Sequence, residues 1–432
     1  MSALPSQVNY NEPLLRLPEN TTNFLAAALP TNGSKFGPGS IAQVDLQTNR
    51  GFLDPASLSI RYKVSVSSAS NEQAKIVGTP AYTFINKFVC YANSQTIETI
   101  SNYNTVANLL TNLKLSVAQK LGQQYSLAYL TDNPASPVDN EDIDGRICAD
   151  DEDVFYVSAP LYCLMGNSEK LIPLFLLQNM RMEFTFESLA NISSNITQDH
   201  KAIDYEITNF EVVYNVIDFG AEIQRQIMSE NPKILIKTSS YNTSVAPIGQ
   251  NTSGNINLIY NLRYASIKSA FLNFGGSSTS NSTGSANKNM DSFDVTAGNG
   301  DYSLQIAGMS YPQKSLSTLN NKAGIMNELR RAMGSLFNNN NSMSINSLEF
   351  GKEDGDKTEY NIPAKFWVGF NLQKLTIESK AFFSGVSTQN SPITAIINSN
   401  NATSQPINAM LIAVYDAVIQ IDTQTKQCVI MS

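Results

Sequence analysis

Histidine occurs once in this 432-residue sequence, at His200, and tryptophan once, at Trp367. A Ser–His–Asp or Cys–His mechanism would have to run through that one imidazole. It follows Asn195-Ile196-Thr197 in a polar stretch and reads as solvated surface. Cysteine is nearly as scarce. Cys90, Cys148, Cys163 and Cys428 have no CxxC spacing and, with His200, give no zinc-ligand pattern, so they are expected to be buried or incidental thiols. No Walker A loop, no GxGxxG after a strand and no GxSxG elbow is present. These absences leave no catalytic, cofactor-binding or metal-binding residue to nominate, and the chain is expected not to be an enzyme.

Charge is also sparse, at 15% of residues against about 25% in an average domain. The net charge is −8 and no basic run occurs, which argues against a general or sequence-specific nucleic-acid surface. No stretch of about 18 apolar residues exists, so no membrane-spanning helix is expected. Met1 to Leu15 lacks the basic region and apolar run of a signal peptide.

Asn, Ser, Thr and Gln stand in for charge, a surface chemistry suited to extracellular or particle-forming proteins and equally to an Asn-rich genome. The sequons at Asn20, Asn32, Asn191, Asn195, Asn242, Asn251, Asn281, Asn340 and Asn401 are expected to reflect that bias. Hydrophobic residues at 42% and aromatics at 9% supply enough apolar surface for two cores.

The chain reads the same way twice. Val213-Tyr214-Asn215-Val216-Ile217 is echoed 201 positions later by Val414-Tyr415-Asp416-Ala417-Val418. Strands, a strand–turn–strand, an amphipathic helix and more strands precede each copy, so two tandem all-β units are expected. In the first, Leu58, Ile60, Tyr62, Val64 and Val66 alternate with polar residues, as do Met180, Met182, Phe184 and Phe186. Thr83–Tyr91 and Thr96–Ile100 flank a turn at Asn93-Ser94, and Val106 to Leu121 recurs at helical spacing with one apolar stripe. Val154–Cys163, Leu171–Leu177 and Tyr205–Ile217 complete that unit. In the second, Ile234–Lys237, Ile256–Arg263, Ile267–Phe274, Tyr302–Ile306, Phe366–Leu372, Ile393–Ile397 and Met410–Ile421 are strand candidates. Ile325, Leu329, Ala332, Met333 and Leu336 share a helix face. These readings divide the chain into an extended arm over 1–47, a first unit over 48–219, a connector helix over 220–231 and a second unit over 232–432. Low-complexity loops, above all Gly275 to Gly300, are expected on the surface.

Two features invite a functional reading. Within Asp139–Asp153, Asn140, Asp142, Asp144, Gly145 and Asp151 approach calcium-loop spacing, but the first position is Asn and the twelfth is Asp, so a solvated acidic loop is the expectation. Trp367 lies in a strand pattern and is expected to pack between sheets; exposed, it would make a glycan-stacking platform.

The order of these segments resembles the double jelly-roll major capsid proteins of double-stranded DNA viruses, most of all the polinton-like virus and virophage type. The resemblance is carried by Gly51-Phe52-Leu53-Asp54-Pro55, Gln95-Thr96-Ile97-Glu98-Thr99-Ile100, Ser158-Ala159-Pro160-Leu161, and Leu171-Ile172-Pro173-Leu174 running into Gln178-Asn179-Met180-Arg181-Met182-Glu183-Phe184. In the second half it rests on Gln305-Ile306-Ala307-Gly308, Tyr311-Pro312, Ser384-Gly385 and Tyr415-Asp416-Ala417-Val418-Ile419.

That family implies an all-β fold of two tandem eight-stranded jelly rolls, with short helices in the connecting loops. It implies pseudo-hexameric homotrimeric capsomers that tile an icosahedral viral shell, assembled inside the host cell. Expected partners are the chain itself, neighbouring capsomers, penton and minor capsid proteins, and an internal membrane as an open question. The alternative is a jelly-roll receptor- or glycan-binding spike, which would expose a platform near Trp367. A carboxylate glycosidase would need two facing acids, with Asp142 or Asp151 essential.

Overall fold

The computed structural model describes residues 21–46, 50–68, 74–93, 95–129, 146–148, 152–195, 203–276, 292–319, 322–334, 343–345, 350, 365–374, 383–403 and 406–432. Two sets of eight strands form its framework.

In the first half the main strands, apart from short pieces of two or three residues, are β1 (Thr22–Ala28), β2 (Ile41–Asp45), β3 (Ser59–Ser68), β4 (Ile85–Ala92), β5 (Gln95–Ile100), β6 (Glu152–Pro160), β7 (Arg181–Phe186) and β8 (Ile203–Asp218). They form two antiparallel sheets in the orders β1-β8-β3-β6 and β2-β7-β4-β5. The second half has β9 (Lys233–Ile248), β10 (Gly254–Tyr260), β11 (Ile267–Gly276), β12 (Gly300–Ile306), β13 (Met309–Ser317), β14 (Val368–Asn371), β15 (Ile393–Ser399) and β16 (Ile407–Asp422). Their orders are β9-β16-β11-β14 and β10-β15-β12-β13, the first half's pattern strand for strand. Each half is an eight-stranded jelly roll. A short β17 (Cys428–Met431) folds back on β16.

The five-residue echo marks equivalent places. Val213 on β8 lies opposite Ser59 at the start of β3, and Val414 on β16 lies opposite Ser269 near the start of β11. Alternation explains the first core: Ile60, Tyr62, Val64 and Val66 from one sheet face Met182, Phe184 and Phe186 from the other, all buried. Phe210 joins the layers, with its ring 5.6 Å from Tyr62 and 4.9 Å from Phe184. A bulge in β8 at Asn209, φ 53°, accompanies the register shift beside it. In the second roll, Phe274 meets Tyr302 at 5.6 Å, and the buried Asp294 carboxylate accepts from the Tyr302 hydroxyl at 2.9 Å.

Several expectations change. Within the arm expected over 1–47, residues 22–28 and 41–45 are strands of the first roll, because β1 pairs along seven residues of β8 and β2 along β7; residues 1–20 lie outside the described residues. The single helix expected from Val106 to Leu121 is two, α1 (Tyr103–Lys114) and α2 (Val117–Gly122). Ser116 breaks it: its hydroxyl accepts from the Gln119 amide, while the Gln119 side chain accepts from the Ser116 amide, a capping box that starts a new helix. Nor does α1 bury one stripe; eleven of its twelve residues are buried. Leu171–Leu177 gives only a two-residue pairing at Ile172–Pro173 and a 3-10 turn. The strand expected over Ile234–Lys237 runs on to Ile248.

The connector is a helix, α3 (Ala221–Glu230), with no buried residue. Helix α4 (Lys322–Ala332) buries Ile325, Leu329 and Ala332 and follows β13 as α1 follows β5, as the repeat implies; Leu336 lies outside the described residues. It sits over β14 at Gly369, where a Cβ would come 2.8 Å from the Leu329 Cα.

Candidate functional site: the joint between the two rolls

Among the described residues, no strand of the first half pairs with a strand of the second. The rolls meet side by side instead, where β5 and α1 of the first face β9 and β17 of the second.

Glu98, on β5, is the centre of this joint. It is 4% exposed, and its two carboxylate oxygens accept from the Leu164 amide at 2.8 and 2.9 Å and from the Ser240 hydroxyl of β9. Burial pushes the Glu98 carboxyl up to about 7, although the Ser240 hydroxyl and Leu164 amide favour its ionised form. Cys90, Cys163, Tyr103, Tyr264 and Tyr415 all feel its charge. The Tyr264 and Tyr415 rings stack at 3.8 Å.

Around this carboxylate the contacts are short polar ones along successive residues of β9. Thr238 donates to the Leu164 carbonyl, and the Ser239 carbonyl accepts from the Asn167 amide at 2.8 Å. Thr243 donates to the Ser101 carbonyl at 3.1 Å. The Lys114 ammonium, at the end of α1, reaches the Tyr241 hydroxyl at 3.5 Å. Ser344, from the second half, donates its amide to the Asn112 carbonyl at 2.9 Å. Asn93, in the β4–β5 turn, donates to the Lys426 carbonyl just before β17. The other polar residues of α1 find partners inside the first roll: Asn104 donates to Glu187 at 2.9 Å and Asn108 accepts from Thr79 at 2.9 Å.

The echoed segment performs the joining within the second roll. Asp416, fully buried, accepts from the Ser266 hydroxyl at 2.7 Å and the Ser384 amide at 2.8 Å, and lies 3.3 Å from the Lys268 ammonium. This ties Ser384-Gly385 to the base of β11.

The sequence-derived candidates fall as follows. Trp367 is 1% exposed, packed in the core of the second roll, which removes the stacking platform. His200, Asn140, Asp142, Asp144, Gly145 and Asp151 lie outside the described residues. Cys90, Cys163 and Cys428 are buried free thiols; desolvation raises all three, Cys428 to about 11, which makes them inert. Of the sequons, Asn32, Asn251 and Asn401 are exposed, while Asn242 is half-buried and donates to the Tyr264 hydroxyl. Among the described residues no group of three His, Cys, Asp or Glu could hold a metal ion, and no helix is long and apolar enough to cross a membrane. A groove of about 270 Å³ on the outer face of the β10-β15-β12-β13 sheet is lined by Asn255, Asp301, Ser303, Ser315, Ile396 and Asn398, with one carboxylate. Glu98 was legible only as part of a motif; nothing in the sequence marked it as the joint, since its partners lie 66 and 142 residues away.

No family model matches the sequence, and no curated protein does. Solved structures do match over nearly the whole chain. The Faustovirus major capsid protein is 7% identical, with 96% of this chain and 92% of that one covered at a TM-score of 0.63. The Sputnik virophage structure gives 10% identity, coverage of 100% and 92%, and a TM-score of 0.58. The mavirus major capsid protein gives 10% identity, coverage of 100% and 95%, and a TM-score of 0.56. At such identities the likeness is one of fold: this chain is a double jelly roll.

Proposed function

We propose that this chain is a major capsid protein, a structural protein of the virion that builds the icosahedral shell of a double-stranded DNA virus. The observation that carries the reading is the strand-for-strand repetition of one eight-stranded roll in a single chain, spanning nearly the full length of viral capsid proteins of the same fold. The physical work of such a protein is assembly. Two similar rolls in one chain, present three times around a ring, offer six near-equivalent edges from one gene product, and a heterologous contact that closes is sufficient to form the ring.

On this reading the functional units are the first roll up to about residue 219, the connector over 220–231 and the second roll from 232. Three chains make a pseudo-hexameric capsomer, capsomers contact one another laterally, and penton and minor capsid proteins complete the shell. The chain works without catalysis or a cofactor. The burial of Trp367 removes the feature that favoured a glycan-binding spike.

Native mass measurement and negative-stain imaging of purified protein test the reading. Particles of three chains with a six-lobed outline are expected; a monomer at every concentration would overturn it.

A further inference from the structure

The joint inside the chain has a counterpart that is left exposed among the described residues. Register aligns the two rolls residue by residue: Tyr214 lies opposite Ala26 on β1, and Tyr415, its echo, lies opposite Ser240 on β9. Ala26 therefore takes the place of Ser240 and Leu25 that of Ser239; continuing the count one residue past the end of β1 puts Leu29 in the place of Thr243. Ser239, Ser240 and Thr243 are contact residues through which β9 covers the first roll. Of their equivalents, Ala26 packs into the core of the first roll itself, while the two large ones are bare: Leu25 on β1 is 60% and Leu29 just after it 63% exposed.

The surface that β9 covers also has an equivalent. Ser101 and Asn102 lead from β5 into α1, and both bond to Thr243, at 3.1 and 3.4 Å. In the second roll, Thr318 and Leu319 lead from β13 towards α4 in the same way. Leu319 is 57% exposed. Large apolar side chains are thus exposed at the two places where the internal repeat requires an unmade copy of the joint, as expected of surface awaiting a partner.

We infer that a second copy of this chain fills it: β1 of one copy covers the β13–α4 corner of the next, setting Leu29 against Leu319 of that copy. This rests on the self-assembly reading above and deepens it by naming the strands that meet. The in-chain joint is polar and hydrogen-bonded; the chain-to-chain joint is apolar at its exposed positions. When both joints turn the chain through the same angle, three copies close a ring.

A double variant, L29C/L319C, treated with a short bis-maleimide and resolved on a denaturing gel, tests this. Both positions are exposed in the single chain and the thiols of Cys90, Cys163 and Cys428 are buried; with Cys148→Ser in every variant, each single variant serves as the control. Linked dimers and ring-closed trimers are expected from the double variant and from neither single one. In parallel, Leu29→Asp weakens assembly by about tenfold or more and leaves the melting of the separated chain unchanged. A protein that is trimeric by native mass but gives no specific cross-link overturns this joint and leaves the assembly reading standing. A protein that is monomeric throughout overturns both.

Discussion

The Glu98 carboxylate of the first roll accepts a hydrogen bond from the Ser240 hydroxyl of the second, inside an interface that excludes water. One acid thus sits where the two rolls meet, and its protonation is coupled to holding them together.

The coupling has a sign. Unfolded, the carboxyl titrates near its ordinary 4.5; folded, near 7. Below about pH 4.5 both states hold the proton. As the pH rises from there through about 7, the unfolded chain releases it first, so stability falls across that window and levels off above it. The full effect is at most about 3 kcal/mol. Chemical denaturation at pH 5 and pH 8 measures it. Glu98→Gln, which keeps an acceptor for the Leu164 amide, is expected to flatten the slope; a variant with the wild-type slope contradicts the assignment.

Trp367→Ala is expected to destabilise the second roll by about 3–5 kcal/mol, because it empties a fully buried site. Equilibrium unfolding checks this. A variant as stable as the parent would return Trp367 to the surface and with it the binding platform.

Gly385→Ala is expected to cost about 3 kcal/mol, the upper end for overpacking. A Cβ there would stand 2.1 Å from the Ile267 carbonyl oxygen, a backbone atom that cannot swing aside. The Asp416–Ser384 tie would break with it, so thermal melting should drop while α1 and the first roll keep their protection from hydrogen exchange. Unaltered melting would mean the approach is looser than described.

Ser116→Ala is expected to cost about 1 kcal/mol through loss of the capping box, read as a lowered denaturation midpoint. No change would mean that α1 and α2 behave as one continuous helix.

How much of this was legible beforehand depended on the range of each signal. Period-two alternation at Ile60–Val66 and Met182–Phe186 reported a half-buried strand directly, because the pattern is set by neighbours on the same strand. The echo at Val213 and Val414 reported the duplication for the same reason. β1 reads as part of an arm because Thr22–Ala28 is exposed on most of its length, and only its pairing with β8 makes it a strand. β9 reads as shorter than it is because Thr238 to Thr243 is largely polar where it meets the other roll. α1 reads as a one-sided helix because its Asn and Thr residues resemble a wet face; they are buried against Glu187, Thr79 and Ser344. Each miss lies at or beside a place where the partner comes from far along the chain.

Cryo-electron microscopy of the purified protein tests the central claim, that a duplicated roll lets three chains act as a six-sided tile. The account predicts three-fold particles of about 142 kDa, three times the 47.2 kDa chain, with six upright lobes alternating between the two rolls. Isolated chains, or rings whose lobes are all the same roll, would contradict it.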